Sequence, residues 1–228
     1  MQAIMRFLAL GSRAKGADYA RVTAVDLTPL RLAVRPCRRL GQLVAGLVLY
    51  GTSMAMMIRS SLGLNPWDVL HEGVTLHTGW SFGTVTALTG MVVLLAWIPL
   101  RQRPGLGTVA NIVVIAVSVD AALALLPAPE SPAARVALLV GGVAGNGLAT
   151  AAYVGARLGP GPRDGLMTGL HARTGFSVRA VRTAIELSVL ALGWVLGGTV
   201  GLGTVLYALA IGPLTQLFLP WVTVRQPR

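Results

Sequence analysis

Six apolar runs dominate the hydrophobic pattern of the chain, and short segments rich in Gly, Pro and charged residues separate them. Each run is close to the roughly 20 mostly apolar residues that a helix needs to cross the hydrocarbon core of a bilayer. The runs lie at about residues 42–58, 82–100, 107–126, 136–156, 183–200 and 204–222. The pattern therefore predicts an all-α membrane protein with six transmembrane helices.

Basic residues are distributed unevenly between the two sides of these predicted spans. Residues 1–39 contain no apolar run and carry eight basic residues, which predicts a basic cytoplasmic tail ahead of a transmembrane domain over residues 40–228. With the N-terminus inside, 17 of the 19 Lys and Arg residues lie on the cytoplasmic side, and only Arg59 and Arg135 lie outside. Because cytoplasmic flanks carry the excess of positive charge, we expect a plasma-membrane protein with both termini in the cytoplasm.

The composition excludes several classes of protein. With 54% hydrophobic and 12% charged residues and a mean hydropathy of +0.69, the chain is not a water-soluble domain. The net charge of +11 is spread between apolar runs, so we expect the anionic surface of the lipid bilayer as its partner and no nucleic acid. Cys37 is the single cysteine, which excludes an intrachain disulfide and a cysteine-based metal cluster.

The chain contains an internal repeat. Shifting the sequence by 96 residues aligns 62–85 with 158–181 at ten identities in 24 positions, and aligns 105–108 with the identical 201–204. Repeat one covers about residues 40–126 and repeat two about 136–222, with three predicted spans in each. Because three is odd, the second repeat starts on the opposite side of the membrane, and the repeats are expected to be inverted.

Inverted repeats are typical of secondary transporters, in which the two halves alternate around a central substrate site. The alternative is that the duplication only built a stable helical bundle, as in membrane scaffolds.

A short polar motif lies between the first and second span of each repeat. In the first copy Asn65 suits an N-cap, Pro66 suits the first helical position, and Asp68 places a carboxylate in the first turn. Gly161, Pro162 and Asp164 repeat this order in the second copy. We predict two Pro-started helices, at 64–77 and 160–173, which end before a glycine and do not cross the membrane.

Four segments together resemble the YczE/YyaS/YitT group of bacterial multi-pass membrane proteins, and within it the YczE proteins most. They are LGLNPWDVLHEG, LGPGPRDGLMTGLHARTG, RTAIELSVLALGWVLGG and VGLGTVLYALAIGP. The resemblance covers about residues 40–222. It implies a polytopic plasma-membrane protein, linked in some members to transport or to the support of secondary-metabolite production, and it specifies neither a substrate nor individual functional residues.

Several polar residues are candidates for a substrate or ion path. They are Asn65, Asp68, Asp120, Arg163, Asp164, Glu186 and Gln216. Asp68 and Asp164 either cap their helices or line a path between the halves. Asp120 and Gln216 share one repeat position, where a carboxylate either couples protons or cations or reaches the outer surface. Glu186 follows Arg182 by one helical turn, which predicts an i,i+4 ion pair.

The leading functional hypothesis is a small-molecule transporter or exporter with alternating access. The alternative is a non-transporting scaffold or accessory protein that supports a biosynthetic or export complex. No nucleophile with a nearby base, metal-ligand spacing or nucleotide motif is evident, so we expect no enzyme, metal or cofactor. Rows of small residues at 141/145/149 and 147/151/155 predict a seam between the halves or between the protomers of a homodimer.

Overall fold

The computed structural model describes Leu27, Leu30 and residues 33–224, and regular structure in this part of the chain consists of eight helices. They are α1 (Pro36–Ser60), α2 (Pro66–Thr78), α3 (Phe82–Leu100), α4 (Leu106–Leu125), α5 (Pro132–Gly155), α6 (Pro162–Thr174), α7 (Val178–Val195) and α8 (Leu202–Val222). The predicted all-α fold is confirmed. Most of the predicted tail at 1–39 lies outside the described residues, and α1 begins four residues before the boundary predicted at residue 40.

Five of the eight helices are long and apolar enough to cross a membrane: α1, α3, α4, α5 and α8. They coincide with five of the six predicted apolar runs. The sixth run, 183–200, falls on α7, which ends at Val195. Arg179, Arg182 and Glu186 lie in the first half of α7 and lower its mean hydropathy.

The two short helices form where the sequence motif predicts them, and each has 13 residues. The Asn65 side chain caps α2 by accepting from the backbone N–H groups of Trp67 and Asp68, both at 3.1 Å. Gly161 occupies the equivalent position of α6 and provides no side-chain acceptor. Both helices end at a left-handed glycine, Gly79 and Gly175, with φ of 71° and 74°.

The helices of the two halves pack against one another in an exchanged arrangement. Helix α1 packs on α4 and α5, and α5 packs on α1 and α8. Each short helix packs most extensively on a helix of the other half, so that α2 lies against α7 and α6 lies against α3. As a result, each short helix depends on the other half for most of its packing.

Glycines allow close approach at equivalent places in the two halves. The carbonyl of Leu62 accepts from the Gly203 N–H at 2.8 Å, and the carbonyl of Leu158 accepts from the Gly107 N–H at 3.0 Å. A Cβ at Gly63, where φ is +114°, would lie 2.7 Å from the Gly201 nitrogen. The motif glycines are thus shielded by protein backbone, as a polar turn inside a membrane protein requires.

The small-residue rows of α5 face neighbouring helices of the same chain. In one row, Gly145 faces Ser53 and Leu49 of α1, so this row forms a seam between the halves. In the other row, Gly147 faces Leu214 of α8. Close backbone approach at these rows explains how α5 packs on two helices at once.

Candidate functional site

A cavity of about 310 Å³ lies between the halves, and all eight helices contribute to its wall. Its lining combines apolar side chains with charged, amide and hydroxyl groups. Five predicted path residues line it: Asn65, Arg163, Asp164, Glu186 and Gln216. The structure therefore brings together residues that are up to about 150 positions apart in the sequence.

The N-terminal ends of α2 and α6 meet at this cavity. Trp67 and Arg163 occupy the same repeat position, and the Arg163 guanidinium carbon lies 4.7 Å from the centre of the Trp67 ring. This geometry is a cation–π contact. The two side chains therefore join the starts of the two short helices across the boundary between the halves.

Asp68 lies directly behind this pair and is completely buried. One carboxylate oxygen accepts from the Asn65 amide. The other oxygen, Oδ1, lies 3.3 Å from His71 Nδ1 and 3.9 Å from Arg163 Nη2. A buried carboxylate is costly unless it is paired, so the contact with Arg163 links Asp68 to the cavity electrostatically.

His71 lies beside Asp68 and lines the cavity. Its Nδ1 is 3.3 Å from Asp68 Oδ1 and 3.3 Å from Thr86 Oγ1. Burial lowers the pKa of the His71 imidazole, although the neighbouring carboxylate opposes that shift. His71 and Thr86 therefore connect the buried Asp68 to α3.

Asp164 is the carboxylate at the N-terminal end of α6. Its Oδ2 accepts from the Tyr153 hydroxyl at 2.8 Å. Unlike Asp68, it is half-buried and lines the cavity directly. No Lys or Arg of the part that the structure describes lies within ion-pair distance of it.

The remaining charged groups of the wall belong to α7. The predicted pair is confirmed, because Arg182 Nε donates to Glu186 Oε1 at 2.8 Å. Gln216 of α8 lies on the wall as an exposed amide.

Asp120 lies outside the cavity. It accepts from the Ser81 hydroxyl at 2.6 Å and from the Gly83 N–H at 2.7 Å. Both donors belong to the start of α3, so Asp120 holds the N-terminal end of that helix. The structure thus separates Asp120 from the other predicted path residues.

Three tyrosines that were not predicted as site residues also line the cavity: Tyr50, Tyr153 and Tyr207. The Tyr207 hydroxyl donates to Asn146 Oδ1 at 3.0 Å. A signal for two of them exists in the repeat, since the shift of 96 residues pairs Tyr50 with Asn146 and Asn111 with Tyr207. A polar group inside a span at the same place in both repeats indicates a shared internal surface.

One end of the bundle is held together by a buried arginine. Arg39 is fully buried and donates to the carbonyls of Ala156 at 2.9 Å and Arg157 at 3.0 Å, just beyond α5. It also donates to the carbonyl of Leu30 at 3.3 Å. Leu27, the other described residue ahead of position 33, lines the cavity.

Relatives of this chain have been found in two bacteria. It is 41% identical over 177 residues to an uncharacterized protein of Haemophilus influenzae, covering 78% of this chain and 81% of that protein. It is 33% identical over 178 residues to the uncharacterized membrane protein YczE of Bacillus subtilis, covering 77% and 83%. YyaS of Bacillus subtilis is 24% identical over 181 residues. No solved structure matches the chain.

The similarity to YczE and YyaS confirms the resemblance deduced from the sequence motifs, and it supports a membrane protein. A family of unknown function, DUF6198, matches residues 37–220, which include all the helices that form the cavity except the ends of α1 and α8. The chain therefore belongs to the DUF6198 family and is a YczE-like, multi-helix membrane protein.

Proposed function

We propose that this protein is a plasma-membrane transporter for a small molecule and that it works by alternating access between two inverted repeats. The cavity carries this proposal, because every helix of both halves contributes to its wall and the two short helices begin at it. Discontinuous helices whose N-terminal ends point at a site between repeats are typical of secondary transporters. The polar lining provides contacts for a substrate within an otherwise apolar protein.

The exchanged packing supports two related halves. Where α2 meets α7, Val69 packs against Gly193, and at the equivalent place between α6 and α3, Gly165 packs against Trp97. In the first contact the short helix carries the larger residue and the long helix the glycine, and in the second contact the order is reversed. Such a pair of contacts is expected when one ancestral interface has been duplicated and each copy has kept close packing.

The proposal requires α7 to be the sixth span. Its 18 residues would extend about 27 Å at 1.5 Å per residue, close to the roughly 30 Å of the hydrocarbon core. The end of α6, just before α7, contacts the end of α3 through a hydrogen bond from Arg173 to the Pro99 carbonyl. The segment after α7 contacts the turn that follows α1, through the bond from the Leu64 N–H to the Thr199 carbonyl. In the proposed topology these two places lie on opposite faces of the membrane.

Cysteine labelling tests the topology. In a Cys37→Ala background, single cysteines near Pro129 and Thr199 should react with an impermeant maleimide added to intact cells, because both positions are expected outside. A cysteine at Arg103 should react only after the membrane is opened. Labelling at position 103 in intact cells, or its absence at 199, would contradict six spans with both termini in the cytoplasm.

A cavity-filling variant tests transport. Thr215 lines the cavity, so Thr215→Phe should place a ring where the substrate lies and lower flux into proteoliposomes at least about tenfold, the loss expected when bulk excludes a ligand from its pocket. Flux is measured with a panel of radiolabelled ammonium, carboxylate and zwitterionic compounds. Leu217→Phe is the matched control, because Leu217 lies on the same helix and is 60% exposed on its outer side.

Leu217→Phe should retain the flux of the wild-type protein. Equal flux in wild-type and Thr215→Phe vesicles would contradict a transport path through the cavity. If no panel compound is transported and the purified protein instead retains a stable protein partner, the scaffold function is correct.

A further inference from the structure

One carboxylate of the cavity wall has no ion-pair partner among the described residues. Arg182 and Glu186 neutralise each other at 2.8 Å, and Arg163 faces the buried Asp68 at 3.9 Å. Asp164 remains, with a tyrosine hydroxyl as its hydrogen-bond donor and no cation within ion-pair distance in the described residues. Among the Asp, Glu and Arg residues described in the wall and directly behind it, Asp164 is therefore the one without an ion-pair partner, and it faces the cavity.

Four aromatic rings line the same cavity as Asp164. Tyr50, Trp67, Tyr153 and Tyr207 all line the cavity, and each is 7–8% exposed. Tyr50 and Tyr153 form an edge-to-face pair with ring centres 6.2 Å apart, and Tyr153 also donates to Asp164. Carboxylates combined with aromatic faces are the groups with which proteins bind ammonium and guanidinium compounds.

The protein's own guanidinium already uses one of these faces. The Arg163 guanidinium lies over the Trp67 ring at 4.7 Å, and its side chain is 27% exposed and lines the cavity. Its ion-pair partner Asp68 is too far away for a short hydrogen bond. A cation is thus accommodated at this wall, and a diffusible cation would compete with Arg163 for the same negative surroundings.

We propose that the cavity binds an organic cation, an amine, quaternary ammonium or guanidinium compound, with its charge against Asp164 and the Tyr50–Tyr153 pair. This proposal names the substrate class of the transport site and so rests on the proposed function. The cavity volume of about 310 Å³ lies at the small end of the range for ligand pockets, roughly 300–1,000 Å³. It suits a compound of one ring or a short chain.

Binding is tested on the full-length protein in nanodiscs by titration calorimetry. The probes are benzyltrimethylammonium and phenylacetate, which are similar in size and opposite in charge. We expect the cation to bind and the anion to give no heat of binding. Asp164→Asn should weaken cation binding at least about tenfold, because it removes the uncompensated charge while keeping the side-chain size.

Glu130→Gln is the control for the loss of one negative charge, since Glu130 is exposed in the loop between α4 and α5. It should bind the cation as the wild-type protein does. Equal weakening by Glu130→Gln and Asp164→Asn would overturn the proposal, because the effect would then come from the overall charge of the protein.

Arg163→Gln provides a test that misfolding cannot imitate. Because the substitution removes a competing positive charge from the wall, cation binding should tighten about tenfold. If the wild-type protein instead binds phenylacetate and Arg163→Gln loses it, the cavity is an anion site and the proposal is wrong. Flux of carboxylates without cation binding would overturn the proposal that the substrate is a cation and leave the transport function standing. Cation binding without flux of any probe would support the binding site and contradict transport.

Discussion

Replacing Gly165 with valine is expected to lower the free energy of unfolding by about 3 kcal/mol, at the upper end of the usual cost of overpacking a core. Even a Cβ at this position would lie 2.0 Å from the Trp97 ring. Trp97 cannot move away easily, because it is 2% exposed and its Nε1 donates to the Pro162 carbonyl at 3.0 Å. Helix α6 should therefore detach from α3, and thermal unfolding in detergent measures the loss.

A double-mutant cycle separates this clash from other effects. Trp97→Ala makes room beside position 165, so the double variant should be more stable than the sum of the single losses predicts. Gly41→Val is the control, since Gly41 lies in α1 with nothing within 4 Å of its Cβ position. Strict additivity of the two losses would show that Gly165 and Trp97 do not form the contact described here.

Asp68→Asn is expected to reduce transport at least about tenfold, the loss typical of removing a charge-assisted contact in a dry site. The free energy of unfolding should change by about 1 kcal/mol, because asparagine keeps the size of the side chain and an oxygen that can accept from the Asn65 amide. Arg163 would lose the carboxylate at 3.9 Å that opposes its charge. Flux of the compounds transported by the wild-type protein and thermal unfolding are measured on the same preparations.

Asp120→Asn is the matched comparison, because it makes the same chemical change outside the cavity. Asp120 holds the start of α3 through Ser81 and Gly83. We expect its replacement to lower the free energy of unfolding by about 1 kcal/mol, the usual value of a helix cap, and to leave flux unchanged. A loss of flux in Asp120→Asn as large as in Asp68→Asn would show that the cavity does not define the path.

Local sequence signals predicted the helices well. The order Asn65-Pro66 and the glycines at 79 and 175 specify where the short helices begin and end, since capping depends on a few neighbouring residues. The long apolar runs likewise predict α1, α3, α4, α5 and α8. The bounds of α7 were predicted less well, because charged residues lower the hydropathy of its first half. Hydropathy does not take into account that two of them, Arg182 and Glu186, form an ion pair.

The composition of the cavity could be predicted only in part. The shift of 96 residues relates Asp68 to Asp164, and it indicates two related polar turns. It does not show that Arg163 crosses to Trp67, or that Asp120 turns to the start of α3. The Arg163–Trp67 contact depends on how the two halves come together, since it joins residues about 100 positions apart. The Asp120 contacts depend on the packing of α4 against α3.

Tyr153 is a further cavity residue that the sequence alone does not reveal. Tyr153 looks like an ordinary residue of an apolar span, and its role becomes visible only through its 2.8 Å bond to Asp164. Its repeat partner is Met57, so no polar pair marks the position in the repeat alignment.

Access to the cavity from the two sides of the membrane tests the central claim most directly, and it requires no known substrate. Thr150 lines the cavity on α5, and Thr150→Cys in a Cys37→Ala background provides a thiol of similar size. Reaction with an impermeant maleimide is measured in right-side-out and in inside-out vesicles. Val113→Cys on the outer surface of α4, where the residue is 56% exposed, is the control for a position facing lipid.

A transporter with alternating access opens the same cavity to each side in turn, so Thr150→Cys should be labelled in both vesicle orientations, while Val113→Cys should react in neither. Labelling of Thr150→Cys from one side only, or from neither side, would contradict alternating access between the two halves.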